Sequence, residues 1–261
     1  MTYEELKIQF DLNEPIDILN SIGGKTKDND WFIVCDDGDC HLFDNNGDEI
    51  DIKKIKSLDE WLIPENIEKI IIPDSVEHIG DAAFAWCKNL TSVNIPDSVK
   101  NIEDHAFAYC ESLTSINIPD SVKSIEDHAF TYCKNLTSIN IPNSINHINE
   151  YVFSHCEKLT SIVILNSIKS IKTLAFYGCK NLKSIVIPDS VETIEYYAFG
   201  YCINLKSITI PDSVKNIENN VFRNCKNLKS LTFKGKTIDQ VKSMEYYPFG
   251  LEDESIIKCI K

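Results

Sequence analysis

Long apolar runs are missing from this 261-residue sequence. The longest, Ala82–Cys87, has six residues, and runs such as Trp61–Ile63 and Ile70–Ile72 are shorter still, whereas an α-helix needs about 20 apolar residues to cross a bilayer. The first ten residues, MTYEELKIQF, also lack the basic stretch and following apolar stretch of a secretory signal. The sequence therefore predicts a protein with no membrane span and a cytoplasmic location.

Basic residues are scarce relative to acidic ones. Lysine and arginine number 26 against 40 acidic residues, for a net charge of −14. Non-specific nucleic-acid binders draw most of their affinity from Lys and Arg on phosphates, so direct binding of nucleic acid is not expected. Hydrophobic residues at 43% and charged residues at 25% are typical of a folded globular protein.

Motifs of common catalytic and metal sites are absent. The sequence contains no G-x-S-x-G, no P-loop, no H-E-x-x-H and no Rossmann fingerprint. It has no C-x₂-C pair, and the acidic turns at 36–39 and 44–48 lack the ligand order of a calcium loop. We therefore expect a protein that is not an enzyme and holds neither a cofactor nor a metal.

What the sequence does contain is a 23-residue repeat in seven copies. Each copy carries a phenylalanine, a cysteine three positions later and a leucine three positions after that. The phenylalanines are Phe84, Phe107, Phe130, Phe153, Phe176, Phe199 and Phe222. The cysteines are Cys87, Cys110, Cys133, Cys156, Cys179, Cys202 and Cys225. We interpret both sets as a structural ladder with one rung in each turn of a repeating fold.

Each repeat combines two periodicities. The segment Leu113–Ile118 alternates apolar and polar residues, which predicts a half-buried strand, and Pro119 ends it. Apolar residues in Asp127–Cys133 lie at helical or 3₁₀ spacing. One strand and one helical arc in so short a repeat predict a solenoid turn, which must stack on its neighbours to bury its apolar face.

The repeat reads I-P-D-S-V-K-x-I-E-D-x-A-F-x-Y-C-x-x-L-T-S-I-x-I and resembles the BspA-like leucine-rich repeat family, with its A-F-x-x-C-x-x-L motif. The match covers residues 64–233. The resemblance implies an α/β fold, a curved right-handed leucine-rich-repeat solenoid with a parallel sheet on its concave side. It also implies surface display and protein–protein contact, which makes the cell surface the alternative location. No catalytic residues come with the motif.

The chain divides into three predicted parts. Residues 1–60 lack the repeat and are expected to form a β-rich N-terminal cap with a hairpin around Asp36–Asp39. Residues 61–233 are the solenoid of about eight turns, the first imperfect because Trp61 takes the phenylalanine position. Residues 234–261 are expected to form a C-terminal cap with a short helix and a strand. Leu165 and Lys172 depart from the repeat, so their turn is predicted to be less regular.

The repeated cysteines have two interpretations, a reduced buried ladder or a ladder of disulfides or metal ligands. Side chains in register point the same way and seven is an odd number, which favours the reduced ladder. Cys35 and Cys40 flank the hairpin turn and are the pair best placed to face each other. Whether they form a disulfide is left open by the sequence.

Two surfaces are candidates for binding. The strand alternation exposes a row of serines and a second row of small residues, which suit tight curvature and lack the Trp, Tyr and Arg anchors of binding sites. The second candidate surface is an aromatic one, formed by two positions four residues apart in each arc. Its residues are Trp86, His105, Tyr109, His128, Tyr132, Tyr151, His155, Tyr197 and Tyr201. They either stabilise neighbouring turns by stacking or form a contact strip for a partner.

The charge is divided along the chain. Residues 1–157 carry 11 lysines and 30 acidic residues, a net charge of −19, whereas residues 158–236 carry a net charge of +7. An acidic half predicts a basic protein partner, and opposite ends predict a salt-sensitive homo-oligomer. The function expected first is a non-enzymatic scaffold for protein–protein interaction. The alternatives are a surface or adhesion protein, and an acidic inhibitor of a basic or nucleic-acid-binding surface on another protein.

Overall fold

The computed structural model describes residues 21–25, 30–36, 39–44, 57–62, 69–72 and 74–261, with side chains for 72 and 74–261. The described strands are β1 Ser21–Lys25, β2 Asp30–Asp36, β3 Asp39–Asp44, β4 Ser57–Leu62, β5 Lys69–Ile71, β6 His78–Ile79, β7 Ser92–Asn94, β8 Asn101–Ile102, β9 Ser115–Ile116, β10 Ser124–Ile125, β11 Ser138–Ile139, β12 His147–Ile148, β13 Ser170–Ile171, β14 Ser184–Val186, β15 Thr193–Ile194, β16 Ser207–Ile210, β17 Asn216–Ile217, β18 Ser230–Lys234 and β19 Ile257–Ile260. The described helices are α1, Ile238–Lys242, and a 3₁₀ helix, Glu254–Ile256.

The strands of the repeats form two parallel ladders, so the predicted solenoid is confirmed. The first ladder contains β5, β7, β9, β11, β14, β16, β18 and β19. The second contains β4, β6, β8 and β10, and then β12, β13, β15 and β17, with no strand pairing between β10 and β12. From β6 and β7 up to β18, paired residues occupy the same position in successive repeats, as Ser184 and Ser207 do, so each repeat is one turn stacked on the next. β4 pairs with β6 out of that register, Leu58 with Ile79, so Trp61 lies in a strand and not at the expected phenylalanine position.

The first ladder is weakest at the turn with the departures Leu165 and Lys172. That turn has no strand between β11 and β14, and its single bridge in this ladder joins Val163 to Val186. Its backbone still joins its neighbours, since Lys183 N–H donates to Thr160 C=O at 3.1 Å. The sequence change therefore loosens one ladder without interrupting the stack.

The arc of each turn is not helical, which corrects the helical or 3₁₀ expectation for Asp127–Cys133. Alternate N–H groups donate within the arc, as Ala108 does to His105 C=O at 2.8 Å. The others donate to the next turn, as Phe107 does to Ala129 C=O at 2.8 Å. The α/β label is therefore loose, because the repeats contain almost no helix and are hydrogen-bonded to one another along all sides.

The core is a set of columns that run along the solenoid. The phenylalanines of the predicted ladder are buried and stack from turn to turn, with ring centroids 4.9–6.0 Å apart. The cysteines and leucines three and six positions later form two further buried columns. The strand isoleucines and valines fill the rest, so every turn buries its apolar face against the adjacent turns.

Both ends of the repeats carry additional strands. At the N-terminal side, β1, β2 and β3 form an antiparallel meander that joins the second ladder through β4. Its register places Cys35 opposite Cys40; their side chains lie outside the described residues. At the C-terminal side, β19 pairs parallel with β18, and Phe249 C=O accepts from Phe222 N–H at 3.0 Å. The C-terminal segment thus supplies the bonds that another turn would have made.

Candidate interaction surface

The two aromatic positions of each arc share a left-handed backbone conformation. In all seven arcs, both positions have φ between 53° and 71°. They are Ala82 and Trp86, His105 and Tyr109, His128 and Tyr132, Tyr151 and His155, Leu174 and Gly178, Tyr197 and Tyr201, and Asn220 and Asn224. Residues other than glycine adopt this conformation at a cost of about 1–2 kcal/mol. Large side chains here therefore need a compensating interaction.

At the second position of the arc, stacking between the rings of adjacent turns supplies the compensating interaction. Four rings form a continuous stack, with centroids 3.9 Å apart for Trp86–Tyr109, 4.7 Å for Tyr109–Tyr132 and 4.3 Å for Tyr132–His155. The interplanar angles are at most 12°. Because the backbone hydrogen bonds hold adjacent turns in register, each ring falls directly on the equivalent ring of its neighbour.

The first position of the arc carries a shorter stack. His105 and His128 lie 4.4 Å apart, and His128 and Tyr151 lie 4.3 Å apart. The two imidazole planes are within 7° of parallel, so their nitrogen lone pairs run side by side and do not converge on one metal ion. Among the residues with described side chains, no group of three His, Cys, Asp or Glu residues is placed to hold a metal.

The aromatic surface does not end at Gly178, although both arc positions of that turn lack a ring. The ring of Tyr177 lies 5.4 Å from His155 and 5.0 Å from Tyr201, so it bridges the turn that lacks a ring at its second position. A Cβ on Gly178 would come within 2.9 Å of His155 Nδ1. Tyr177 is a residue that the repeat alignment missed. The signal in the sequence is a tyrosine directly before the glycine that stands where most other turns have a ring.

We call the nine residues predicted from the sequence, together with Tyr177, the aromatic strip. Between its two stacks lie small residues that are almost fully buried, with exposures of 1% for Ala108, 4% for Thr131 and 2% for Ser154. The stacks on either side leave this floor almost inaccessible to solvent. Trp86, at 48% exposed, Tyr201, at 38%, and His105 are its exposed rings.

The stacking decides what the strip offers to another molecule. Interior rings such as Tyr109, Tyr132 and His128 have a neighbour on each face. A sugar or a proline-rich peptide needs an open ring face, which these rings lack. Their exposed parts are the ring edges, which carry the tyrosine hydroxyls and imidazole nitrogens, so the strip presents regularly spaced polar groups along an apolar surface.

Burial changes the pKa values of three side chains of the strip. It lowers the pKa of His128, and the neighbouring His105 lowers that pKa further. Burial likewise lowers the pKa of His155. Burial raises the pKa of Tyr177, with the hydroxyls of Tyr201 and Tyr197 adding to the effect. His128 and His155 are therefore neutral imidazoles at neutral pH.

The two flanks of the strip differ in charge. On one flank, ion pairs join adjacent turns, with Lys134 Nζ 3.0 Å from Glu111 and Lys180 Nζ 2.8 Å from Glu157. The other flank is a column of acids, which we call the acidic column: Asp81, Asp104, Asp127 and Glu150. The backbone N–H of Asp127 donates to Asp104 Oδ1 at 3.0 Å, and that of Glu150 donates to Asp127 Oδ1 at 2.9 Å. Burial and the neighbouring carboxylates raise the pKa of Glu103 beside it.

The thiols of the cysteine ladder are buried and unreactive. All seven thiols are buried and free, and from Cys110 onward each donates to the phenylalanine carbonyl of the preceding turn. For example, Cys133 Sγ lies 3.2 Å from Phe107 O, and Cys179 Sγ lies 3.1 Å from Phe153 O. Burial raises the pKa of Cys225 to about 12. These groups are protonated thiols whose role is packing, not thiolates available for reaction.

The outer face of the first ladder carries the two rows of small residues predicted from the sequence. Its serines are Ser92, Ser115, Ser138, Ser161, Ser184, Ser207 and Ser230. In the second row, the carboxamide of Asn140 donates to Ile118 C=O at 2.6 Å and accepts from Ile118 N–H at 2.9 Å. A shallow cavity of about 340 Å³ lies on this face near Val186, Thr209 and Lys234. Much of the face therefore serves the ladder itself.

Comparison with known families identifies the repeat. The BspA type Leucine rich repeat region, in six copies, matches residues 63–183 and 146–257. The chain belongs to the BspA-type leucine-rich repeat family. BspA-type repeats support a role in protein binding or adhesion, which is the coarse form of the function expected from the sequence. A search of curated proteins gave no match.

Solved leucine-rich repeat proteins share the fold. The leucine-rich repeat protein of T. pallidum is 29% identical, with a TM-score of 0.63 over 73% of this chain and 88% of that one. A leucine-rich repeat protein of Eubacterium ventriosum is 27% identical, with a TM-score of 0.59, and this chain spans 49% of its length and 74% of its own. A third, from Bacteroides ovatus, is 24% identical with a TM-score of 0.52 over 87% of this chain and 67% of that one.

The location predicted from the sequence gains no support from these similarities. The solved relatives compared above are named for their repeats and source organisms, and none of those names points to the cytoplasm. In the described part of the chain, no helix has the length and apolar character needed to cross a membrane.

Proposed function

We propose that this protein is a non-enzymatic scaffold that binds a protein partner along the aromatic strip. The observation that carries the proposal is the continuity of the strip across the turn of Gly178. There Tyr177 occupies the space that the missing ring leaves, in contact with both His155 and Tyr201. An aromatic surface that stays continuous while its rings come from different repeat positions is expected of a contact surface.

The strip also has the physical character of a binding surface. Tyrosine and tryptophan are the residues most enriched among the energetic anchors of protein interfaces. Rings such as Tyr109 and Tyr132 are already fixed between two neighbours, so little side-chain entropy remains to be lost when a partner binds. The left-handed backbone at each ring is a local cost that stacking offsets within the free protein.

The flanks indicate the chemistry of the partner. In the acidic column, burial and the neighbouring carboxylates of Asp127 and Glu195 raise the pKa of Glu150, and Lys172 offsets this only in part. A partner with basic residues next to its contact with the rings would relieve that repulsion. An adhesion role, and an inhibitory role on a basic surface, would both use this contact with a basic partner.

The test removes the hydroxyls and keeps the stack. We expect Tyr109→Phe/Tyr132→Phe to retain the melting temperature, because the rings still pack, and to lose a partner that binds the ring edges. Immobilised wild-type protein and the double variant are compared for capture from the native source. The supporting result is one protein that the wild type retains and the double variant loses.

A charge variant away from the strip serves as the control. Lys158→Glu/Lys169→Glu/Lys215→Glu changes three exposed lysines and is expected to capture the same protein as the wild type. Equal capture by the wild type and the double phenylalanine variant, for every retained protein, would contradict the proposed role of the strip.

A further inference from the structure

A second periodic feature lies beside the first ladder, in the C-terminal half of the repeats. Lys183, Lys206 and Lys229 occupy the same repeat position in three consecutive turns, and all three are exposed. Lys206 N–H donates to Lys183 C=O at 3.3 Å, and Lys229 N–H donates to Lys206 C=O at 2.9 Å. We call these residues the lysine column. Their Cα atoms are held at the spacing of adjacent parallel strands, about 4.8 Å.

The lysine column replaces a structural column of threonines. In the earlier turns the same position holds Thr91, Thr114, Thr137 and Thr160. The hydroxyl of Thr137 donates to Thr114 C=O at 3.0 Å, and that of Thr114 donates to Thr91 C=O at 3.4 Å. A lysine cannot reproduce this short bond, and three lysines in succession add repulsion between like charges. The change therefore lacks a benefit to the fold.

No carboxylate whose side chain is described neutralises this column. Within the part of the chain whose side chains are described, the ion pairs of lysine involve Lys134, Lys180 and Lys236, and Lys88 has interactions of its own. Lys183, Lys206 and Lys229 have no carboxylate partner there. Their charges are available to another molecule.

The spacing of the lysines points to the partner. Alternate side chains of an extended peptide lie about 6.6 Å apart, which does not match a column at about 4.8 Å. The acidic column of a second copy has the matching spacing, because Asp104, Asp127 and Glu150 are also separated by one turn each and are bonded turn to turn. Three lysines of one copy can then face three carboxylates of the next at the same time.

We propose that this protein self-associates head to tail, with the lysine column of one copy against the acidic column of another. The acidic column begins in the N-terminal half of the solenoid and the lysine column lies in the C-terminal half, so one copy cannot pair them within itself. Such a contact joins two different surfaces and leaves one of each free at the ends. The assembly therefore grows by addition of further copies and competes with a basic partner for the acidic column.

The test is an exchange of charges followed by mixing. One variant reverses the lysine column, Lys183→Glu/Lys206→Glu/Lys229→Glu, and a second reverses the acidic column, Asp104→Lys/Asp127→Lys/Glu150→Lys. Sedimentation velocity is expected to show association of the wild type at about 0.05 M NaCl and a roughly tenfold or greater loss of affinity at about 0.5 M. Each variant alone is expected to be monomeric, and the equimolar mixture to associate again, because the reversed columns are complementary.

Controls separate this proposal from others. Lys158→Glu/Lys169→Glu/Lys215→Glu changes the net charge as much as reversal of the lysine column and is expected to associate like the wild type. Tyr109→Phe/Tyr132→Phe is also expected to associate normally, so failure of the aromatic strip as a binding surface leaves this result unaffected. A wild type that is monomeric at low salt, or variants that stay monomeric when mixed, would overturn the proposal. Association that both reversals leave intact would overturn it equally.

Discussion

The ring of Tyr177 lies over Gly200, where an added Cβ would come within 3.1 Å of Tyr177 Cδ2 and 2.6 Å of Tyr197 Cδ1. Equivalent positions in earlier turns hold Ala108, Thr131 and Ser154. The backbone thus accepts a side chain at this repeat position. It is the two neighbouring tyrosines that exclude one at residue 200.

Gly200→Ala is therefore expected to destabilise the protein by about 1–3 kcal/mol through overpacking. Urea unfolding followed by circular dichroism measures the change. In a Tyr177→Ala/Tyr197→Ala background the same substitution is expected to cost little, because the contacting rings are gone. An equal cost in both backgrounds would show that backbone conformation, and not the rings, selects glycine there.

Substitutions of Tyr132 test the left-handed backbone. Tyr132 has φ of 58°, so alanine loses the stack and keeps the strain, whereas glycine loses the stack and removes the strain. We expect Tyr132→Gly to be more stable than Tyr132→Ala by about 1 kcal/mol, the reverse of the usual order. Tyr132→Asn is expected to lie between them, since Asn224 occupies the same repeat position. An alanine variant that is the more stable would refute this account of the arc.

Acid is expected to weaken the protein through the histidines of the strip. The pKa of His128 is lowered in the folded state from its ordinary value of 6.5, so below that pH the unfolded chain takes up the proton more readily. The stabilising contribution of neutral His128 is present above pH 6.5 and is lost as the pH falls through the lowered pKa. Melting temperatures measured across this window should fall with pH, and less steeply for His128→Asn.

Carboxylates with a raised pKa affect the pH dependence of stability in the opposite direction, and at lower pH than the histidines. The pKa of Glu103 is raised from 4.5 by burial and by Glu126, Asp81 and Asp104. In the window above 4.5 the folded state therefore binds more protons than the unfolded chain, and acidification relieves repulsion. Glu103→Gln is expected to raise stability at neutral pH and to leave the histidine-dependent slope in place. If the fall in melting temperature with decreasing pH disappeared in Glu103→Gln, the histidines would not be its cause.

The thiol ladder gives a prediction of reactivity. Burial raises the pKa of the repeat cysteines, as for Cys110 and Cys202, and their sulfur atoms are inaccessible in the folded protein. Among the cysteines with described side chains, only the partly exposed Cys259 is expected to react with iodoacetamide in the native state. Mass spectrometry of peptides after brief labelling identifies the modified residues. Rapid native labelling of Cys133 would mean that the turns open far more readily than their packing suggests.

Much of the architecture was predictable because the repeat is regular. The fixed separation of Phe107 and Phe130 indicates one turn for each repeat, and alternation in Leu113–Ile118 indicates a strand. The departures at Leu165 and Lys172 pointed to the turn in which the first ladder has no strand. Period and alternation suffice for these features, since each follows from burying one face of a stacked unit.

The arc was not predictable from the same patterns. Apolar spacing in Asp127–Cys133 resembles a helical turn, yet His128 and Tyr132 have positive φ and their N–H groups bond to the next turn. Spacing between side chains does not reveal which carbonyl an N–H group reaches. The alternation of bonds within and between turns depends on a neighbouring turn that lies one full repeat away in sequence.

The sequence by itself determined the length of the turn, the residues that form its columns and the division of charge between the two halves. Only the tertiary structure decided that the rings of Trp86 and Tyr109 stack face to face, that Tyr177 replaces the ring missing at Gly178, and that ring edges form the exposed surface. The physical reason is that a repeat period fixes which residues meet. The backbone angle at each residue, set by hydrogen bonds between turns, fixes how they meet.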